Sequence, residues 1–263
     1  MPLYTDQMGR EVDVPVSPKR IVSLVPSQTE LLYDLGLADR IVGQTVFCIH
    51  PGEYFKSATK IGGTKKLNIQ AIRELQPDLI IGNKEENEHS HIQELEKEFP
   101  VWMSDIYNLS DALEMIRQIG TVVCKEDKAD AMVQEIEAGF EHIKSSQTKS
   151  SKVLYFIWRK PFMVAGRNTF IHDMLQYCGL ENAITEKDSR YPEINADMVT
   201  SLNPDVVYLS SEPYPFKENH IEELARLCPL AKIQIVDGEL FTWYGSRLLK
   251  SPLYFLDLIN SML

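Results

Sequence analysis

Aromatic and arginine residues recur in the segments that follow the predicted strands of this chain, and together they could bind a large ligand. Aromatic rings give broad apolar contact for little loss of side-chain entropy, and arginine donates charge-assisted hydrogen bonds. The combination suits a bulky ligand that carries carboxylate, phosphate or amide groups. An aromatic side chain after a strand can also pack against the end of its sheet, so this second interpretation stays open for each of them. The predicted ligand-binding residues are Phe47, Lys84, Trp158, Arg159, Phe162, Arg190, Tyr191, Tyr214, Phe216, Trp243, Tyr244 and Arg247.

Several histidines and glutamates could bind a metal ion, but their spacing does not favour it. His89 and His91 are two positions apart and would not share a helical face, and an acidic loop such as 84–88 is usually solvated. We predict no metal site built from protein ligands alone, although the sequence leaves open whether a histidine binds a metal directly. The candidates are His50, His89 and His91, with Glu85, Glu86 and Glu88 nearby.

The sequence lacks three common catalytic and nucleotide-binding motifs. A G-x-S-x-G elbow, a P-loop and a G-x-G-x-x-G fingerprint are all absent, and Gly62-Gly63-Thr64 lacks the rest of a phosphate-binding pattern. No nucleophile, base and orienting group can be assembled from the pattern. We therefore predict a binding protein without an intrinsic cofactor, not an enzyme.

The predicted strands alternate with helices, which is typical of a mainly parallel sheet covered on both faces. Two of the helices end at glycines, Gly36 and Gly179, which can adopt the left-handed conformation that often ends a helix. In parallel α/β sheets ligands bind outside the carboxyl ends of the strands, so the loops that carry the candidate residues should face a common cleft. The predicted strands are 21–25, 41–43, 79–82, 153–157, 206–209 and 233–236.

Two stretches of the chain, 67–81 and 194–208, repeat one pattern residue for residue. Each begins with an aliphatic residue and asparagine, continues as a short helix, and ends with Pro-Asp and an apolar strand. Proline cannot continue a helix and favours an extended residue before it, so each copy predicts a helix, a sharp stop and a buried strand. We therefore predict two related α/β lobes, with Ile80 and Val207 in the central strands of separate sheets.

A long helical pattern separates the two copies. It runs from Ser110 to about Ser146, with interruptions only at Gly120 and 125–127, and a polar loop follows at 145–151. One apolar stripe in its second half predicts a helix of at least five turns that packs on one side and joins the lobes. The predicted regions are an N-terminal α/β lobe at 1–109, a helical region with the connecting helix at 110–150, and a C-terminal α/β lobe at 151–263.

The composition limits the partners that the protein can have. A net charge of −11 and a pI near 5.1 argue against nucleic acid or an anionic membrane surface as a general partner, since both require clustered Lys and Arg. No apolar run is long enough to cross a bilayer, and the amino terminus has no hydrophobic signal segment. The expectation is a soluble chain that either stays in the cytoplasm or has lost a leader. The cysteines, which show no C-x-x-C spacing, are expected to be buried, with their disulfide state open; they are Cys48, Cys124, Cys178 and Cys228.

Several segments, in order along nearly the whole chain, resemble the class III substrate-binding proteins of ABC importers, the group that includes the vitamin B12, ferric siderophore and haem receptors. They are Arg20–Ser27 with Thr29-Glu30, Leu75–Ile81, the long helix, Gly179–Asn182 and the second Pro-Asp strand. The resemblance implies two parallel-sheet α/β lobes joined by one long backbone helix, with the ligand in a cleft between them. It implies a monomer outside the cytoplasm that binds a corrinoid such as cobalamin, a ferric siderophore or haem, and partners that are an ABC permease and its ATPase.

The resemblance also points to a docking surface, although the sequence departs from the vitamin B12 receptors there. Those receptors carry an acidic residue on each lobe that docks onto the permease, and the matching positions here are Gln70 and Asp197. Only one of the two is a carboxylate. In the first lobe the B12 receptors line the cleft with aromatic residues, where this chain keeps Phe47 but has Thr64 and Asn83. The alternative function is a cytoplasmic sensor or enzyme that handles a chelate or metal on the same scaffold.

Overall fold

A computed structural model of the protein describes residues 2–145, 150–185 and 189–262. Most of the polar loop predicted at 145–151 lies outside these residues. Contacts divide the chain into two compact units. Unit 1 comprises Met1–Ile106, Ser110–Glu135 and Trp243–Leu248, and unit 2 comprises Tyr107–Leu109, Ile136–Thr242 and Leu249–Leu263.

The first half of the chain supplies the strands and helices that build most of unit 1. Its strands are β1 (Leu3–Thr5), β2 (Glu11–Asp13), β3 (Ile21–Ser23), β4 (Ile41–Gln44), β5 (Thr59–Lys60), β6 (Gly62–Gly63), β7 (Lys66–Leu67), β8 (Leu79–Asn83) and β9 (Val101–Ser104). Its helices are α1 (Pro26–Asp34), α2 (Ile69–Leu75), α3 (His89–Leu95), α4 (Leu109–Val122) and α5 (Glu126–Ser145), with a short 3-10 helix at Gly52–Tyr54.

The second half supplies the elements of unit 2. Its strands are β10 (Ser151–Trp158), β11 (Phe162–Val164), β12 (Leu180–Asn182), β13 (Glu193–Ile194), β14 (Val206–Ser210) and β15 (Lys232–Val236). Its helices are α6 (Phe170–Tyr177), α7 (Ala196–Leu202), α8 (Glu218–Ala225), α9 (Glu239–Thr242) and α10 (Ser251–Met262), with a 3-10 helix at Ser246–Leu249.

Unit 1 is built on a five-stranded parallel sheet with the strand order β5-β4-β3-β8-β9. Every residue of β3, β8 and β9 is buried, as expected for parallel strands covered on both faces. Ile80 pairs with Val22 on one side and Val101 on the other. The prediction that Ile80 occupies a central strand is therefore confirmed.

Unit 2 has its own sheet, in which the strand order is β13-β11-β10-β14-β15 and β12 also pairs with β10. Val207 lies between Leu154 and Ile233 in parallel pairing, so the prediction of a second central strand in a separate sheet is confirmed. The β11 and β13 strands run antiparallel to their neighbours. Sequence reasoning placed Phe162 in a loop, but the chain reverses after Trp158 and returns as a strand too short to show a period of its own.

Both copies of the duplicated pattern begin and end their short helix in the same way. The side-chain oxygens of Asn68 and Asn195 accept hydrogen bonds from the backbone N–H of Ala71 (3.1 Å) and Met198 (2.9 Å), which caps the amino end of each short helix. Each helix ends at a residue with left-handed backbone, Gln76 at φ 45° and Asn203 at φ 43°. Proline follows each of them directly, so neither helix can continue.

The aspartate after each proline fastens the new strand to its neighbour. The Asp78 carboxylate accepts hydrogen bonds from the backbone N–H of Lys19 (2.7 Å) and Arg20 (2.8 Å), just before β3. The Asp205 carboxylate accepts one from the backbone N–H of Lys152 (2.7 Å) in β10. The Asn-to-Pro-Asp unit therefore fixes the amino ends of adjacent parallel strands.

The predicted helical region consists of two helices, and the break between them lies at 123–125, next to the predicted interruption at 125–127, whereas Gly120 lies within α4. Cys124 has a φ of +57°, and the N–H of Lys125 returns to the carbonyl of Gly120 (2.7 Å), which ends the helix. A Cβ on Gly120 would lie 2.4 Å from the Cβ of Ala129, so glycine lets α4 and α5 approach closely. With 20 residues, α5 exceeds the five turns predicted for the connecting helix.

The remaining sequence expectations concern cysteines, helix ends and membranes. Cys48, Cys178 and Cys228 are buried, as predicted, whereas Cys124 is exposed at the break after α4, and all four are free.

Gly36 and Gly179 adopt positive φ angles just beyond α1 and α6, which confirms the predicted helix ends. In the described part of the chain, no helix combines the length and apolarity needed to cross a bilayer.

Candidate aromatic and cationic binding surfaces

In unit 1 the loop after β4 exposes apolar side chains at the carboxyl end of the sheet. Phe47 is 56% exposed, and its neighbours Val46 and Ile49 are also exposed. Removing exposed apolar side chains from water is favourable, so these side chains are suited to contact an apolar ligand surface. This places the predicted residue Phe47 on an accessible apolar strip.

A cationic and aromatic cluster in unit 1 is centred on Trp243. The His50 ring meets the indole edge-on at a centroid distance of 5.6 Å, and the Arg247 guanidinium lies 4.6 Å from the indole centroid. Arg247 also forms a two-point ion pair with Glu30, with Nε and Nη2 at 2.8 and 2.7 Å from the carboxylate oxygens. Both partners are buried. The carboxylate thus fixes the guanidinium over the indole face.

The other predicted residues of unit 1 differ in accessibility. Lys84 is exposed at the end of β8, and its ammonium lies 2.5 Å from the Asp105 carboxylate. Tyr244 is buried. The structure thus brings Trp243 and Arg247 together with Glu30, a partner that sequence reasoning missed. The only sequence signal for that partner is an acidic residue directly before the apolar pair Leu31-Leu32 of α1.

In unit 2 the predicted aromatic residues gather around the end of β10. Trp158, the last residue of that strand, is 39% exposed and meets Tyr214 edge-on at 5.5 Å. Tyr214 in turn contacts Phe216 at 4.8 Å, and Phe216 is buried in the core of the unit. Phe162 packs against that core from β11. The cluster is therefore rooted in the core and presents Trp158 at the surface.

Arg159 is held next to this cluster by an ion pair. Its Nε lies 2.8 Å from the Glu223 carboxylate on α8. His220, on the same helix, is buried and meets the Tyr214 ring at 5.6 Å, and its burial, followed by the charge of Arg159, lowers the pKa of its imidazole. The helix therefore supplies both an acidic partner for Arg159 and a neutral ring against Tyr214. Neither Glu223 nor His220 was identified from the sequence.

The two remaining predicted residues of unit 2, Arg190 and Tyr191, precede β13 and are half-buried. The Arg190 guanidinium lies over the ring of Tyr107 at 4.6 Å, and its backbone carbonyl accepts a hydrogen bond from the N–H of Gly166 (2.7 Å). A Cβ on Gly166 would lie 2.5 Å from the Ser189 carbonyl oxygen, so only glycine allows this approach. Arg190 is thus held beside the 166–169 turn and apart from the Trp158 cluster.

The predicted docking residues lie on corresponding short helices. Gln70 is exposed on α2, where its amide donates to Glu74 (3.0 Å), and Asp197 is exposed in the first turn of α7. Met198, beside Asp197, is also exposed. The two positions are equivalent in the duplicated unit, and only the second carries a charge.

The metal candidates show no shared coordination sphere. Among the described residues, no three or more His, Cys, Asp and Glu side chains are grouped closely enough to hold an ion. His89 is exposed at the start of α3, and His50 packs against Trp243.

Comparison with known proteins identifies relatives that match most of the chain. The profile of the periplasmic binding protein family matches residues 21–231. An uncharacterized ABC transporter substrate-binding lipoprotein of Bacillus subtilis is 28% identical over 212 residues, which cover 77% of this chain and 67% of that protein. A vitamin B12-binding protein of Vibrio campbellii is 28% identical over 196 residues, which cover 73% of this chain and 70% of that protein.

A solved structure supports the same fold. The periplasmic heme-binding protein of Roseiflexus, in its apo form, superposes with a TM-score of 0.77 at 22% identity and covers 92% of this chain and 99% of that one. At this identity the likeness concerns the fold. It agrees with the predicted class, two α/β lobes joined by a long helix.

Proposed function

Because the chain belongs to the periplasmic binding protein family, whose members bind solutes and are not catalysts, we propose that it is the receptor of an ABC importer and that its solute is a bulky metal chelate. The receptor function predicted from the sequence is the function of the family. A corrinoid, a ferric siderophore or haem is the class of ligand that we infer. The relatives include a vitamin B12-binding protein and an ABC transporter substrate-binding lipoprotein, which supports this inference.

The observation that carries the ligand class is the pair of exposed aromatic surfaces, one in each unit. Phe47 in unit 1 and Trp158 in unit 2 expose large apolar area at the carboxyl ends of their sheets. Each unit also holds an arginine beside aromatic residues and fixed by a carboxylate: Arg247 lies over Trp243 in unit 1, and Arg159 follows Trp158 in unit 2. A small ion or sugar would leave this apolar area uncovered, whereas a macrocycle or aryl chelate with acidic or amide substituents would cover it and accept the hydrogen bonds.

A screen for native-state stabilisation tests this proposal. We expect the melting temperature to rise with cobalamin, haem or a ferric siderophore, because a ligand that binds only the folded state stabilises it. Divalent metals alone should produce no comparable rise. If no chelate stabilises the protein, the ligand class is wrong.

Replacing Trp158 by alanine should weaken binding of the active chelate by about 2 kcal/mol, because a partly exposed indole that becomes buried by the ligand acts as an anchor. The side chain is only half-covered by the protein, so the fold should be retained. Isothermal titration calorimetry on the variant measures the loss. Leu230→Ala is the matched control, since Leu230 is an exposed apolar residue of the same unit outside the candidate surfaces. Equal affinities for wild type and Trp158→Ala would return Trp158 to a packing role.

We also propose that the permease contacts the surfaces around Gln70 and Asp197. The Asp197→Asn variant should associate more slowly with the cognate transporter in lipid discs, and Gln70→Glu should associate faster at low salt, because exposed charges act mainly on the encounter rate. Association kinetics across ionic strength measure both effects. Unchanged rates in both variants would exclude these positions from the interface. On this proposal the protein acts outside the cytoplasm, as its periplasmic and lipoprotein relatives do.

A further inference from the structure

Unit 2 contains a pocket of about 540 Å³ that includes Arg190 but no residue of the Trp158 cluster. Its walls come from the segment before α4, from the turn before α6, from the first turn of α6 and from the segment before β13. The residues that line it are Tyr107, Asn108, Arg167, Asn168, Thr169, His172, Asp173 and Arg190.

The pocket is cationic. Arg167 and Arg190 both line it, and the one acidic residue on its wall, Asp173, accepts a hydrogen bond from the backbone N–H of Leu109 (2.7 Å). The Arg190 guanidinium is positioned by the Tyr107 ring beneath it. The two guanidinium groups make this pocket locally positive, although the protein as a whole has a net charge of −11.

Polar atoms in the wall lack an acceptor in the described residues. Arg167 Nε and His172 Nδ1 are both buried and form no hydrogen bond there. Arg167 also forms no ion pair with a described residue, whereas Arg159 and Arg247 each pair with a glutamate. A guanidinium N–H always donates, so leaving it buried without an acceptor is unfavourable.

The neighbouring groups favour an anion as the missing acceptor. Partial burial, followed by the charge of Arg167, lowers the pKa of His172, so its imidazole is neutral at pH 7 and can donate through one ring nitrogen. The turn that carries Arg167 leads into the amino end of α6, where the helix dipole adds positive potential. Planar guanidinium groups match the oxygens of a carboxylate or phosphate, which can accept from both.

We propose that this pocket is an oxyanion-binding site that takes the carboxylate or phosphate substituent of the solute, with Arg167 and Arg190 as the groups that contact it. The assignment to the solute rests on the proposed function. A free inorganic anion offers the same chemistry, so the experiment separates the two sources.

The first arm uses inorganic phosphate and citrate on the full chain. Titrations followed by the ring signals of His172 in NMR spectra should show saturable binding, at least about tenfold weaker in Arg167→Gln and in Arg190→Gln, since each loses charge-assisted hydrogen bonds. Arg226→Gln, which removes an exposed arginine from the same unit, should bind like the wild type. Absent binding, or equal binding in all the variants, would overturn the proposal. Should Arg167→Gln fail to fold, Arg167→Lys keeps the charge but loses the fork of donors and should still bind more weakly.

The second arm compares haem with its dimethyl ester, and cobalamin with cobinamide, which lacks the phosphate-bearing nucleotide. Wild type should prefer the anionic member of the pair that binds, and Arg167→Gln should reduce that preference about tenfold while Arg226→Gln does not. An unchanged preference would show that the pocket takes only free anions and would overturn its assignment to the solute. If phosphate binds as expected but no chelate binds, the oxyanion site stands and the proposed function fails.

Discussion

Replacing Glu30 by alanine is expected to lower the free energy of unfolding of unit 1 by about 3 kcal/mol or more, because the Arg247 guanidinium would remain buried without its carboxylate. The side chains of Arg247 and Glu30 are only 9% and 6% exposed, so water cannot replace the lost partner. Arg247 also lies over Trp243, so the loss should loosen that indole. Urea unfolding followed by tryptophan fluorescence in a Trp158→Phe background measures unit 1 alone, since the other tryptophans, Trp102 and Trp243, belong to it.

Two further variants separate the lost ion pair from lost packing. Glu30→Gln keeps the size of the side chain and one acceptor, so it should cost less than Glu30→Ala. The double variant Glu30→Leu with Arg247→Met removes both charges and should recover much of the stability, as buried pairs replaced by apolar residues often do. A loss below about 1 kcal/mol for Glu30→Ala would show that the pair is solvated. The double variant should bind the solute more weakly if Arg247 contacts it.

Replacing Phe241 by alanine should destabilise unit 2 by about 4 kcal/mol, because the change removes a large buried ring and leaves a cavity. Phe241 is fully buried. Its ring centroid lies 4.6 Å from that of Phe255, 5.2 Å from that of Tyr155 and 6.0 Å from that of Tyr208. These neighbours come from α10, β10 and β14, so one ring joins the sheet to the last helix. The cavity cannot collapse without moving several elements.

The measurement is denaturant unfolding followed by far-ultraviolet circular dichroism. Phe241→Leu should cost less than Phe241→Ala because it keeps most of the volume. Phe47→Ala is the exposed counterpart, and its stability should stay within about 0.5 kcal/mol of the wild type, since its ring is mostly solvated. Similar losses for Phe241→Ala and Phe47→Ala would contradict the assignment of Phe241 to the core.

Much of the backbone architecture follows from sequence signals that act on the backbone within a few residues. Gly36 and Gly179 end their helices because glycine adopts a positive φ without strain, and the two Pro-Asp steps stop a helix wherever they occur. Such signals act over a few residues and can be recognised in the sequence. By contrast, β11 has only 3 residues, and its pairing with β10 depends on a reversal that no periodic pattern marks.

The candidate sites depend on contacts between residues far apart in the chain, which explains what sequence reasoning missed. Arg247 was identified as a cation near aromatic residues, but its partner Glu30 is 217 positions away. Arg190 was identified in the same way, whereas Arg167 and His172, which share its pocket, were not. The Gly-Arg-Asn-Thr turn before α6 reads only as a helix start, because the ring of Tyr107 and the segment around Arg190 reach it through the tertiary fold.

The hydrogen bonds that the Asp78 and Asp205 carboxylates accept lie at the amino ends of the strands, whereas Phe47 and Trp158 lie at the carboxyl ends. Residues at the two ends of the strands can therefore be mutated independently. On the proposed function, exchange of a side chain at a carboxyl end would change the choice of solute without touching the hydrogen bonds that hold the strands at their amino ends. A scaffold arranged in this way is evolvable, because the residues proposed to contact the solute can be exchanged while its folding determinants stay unchanged.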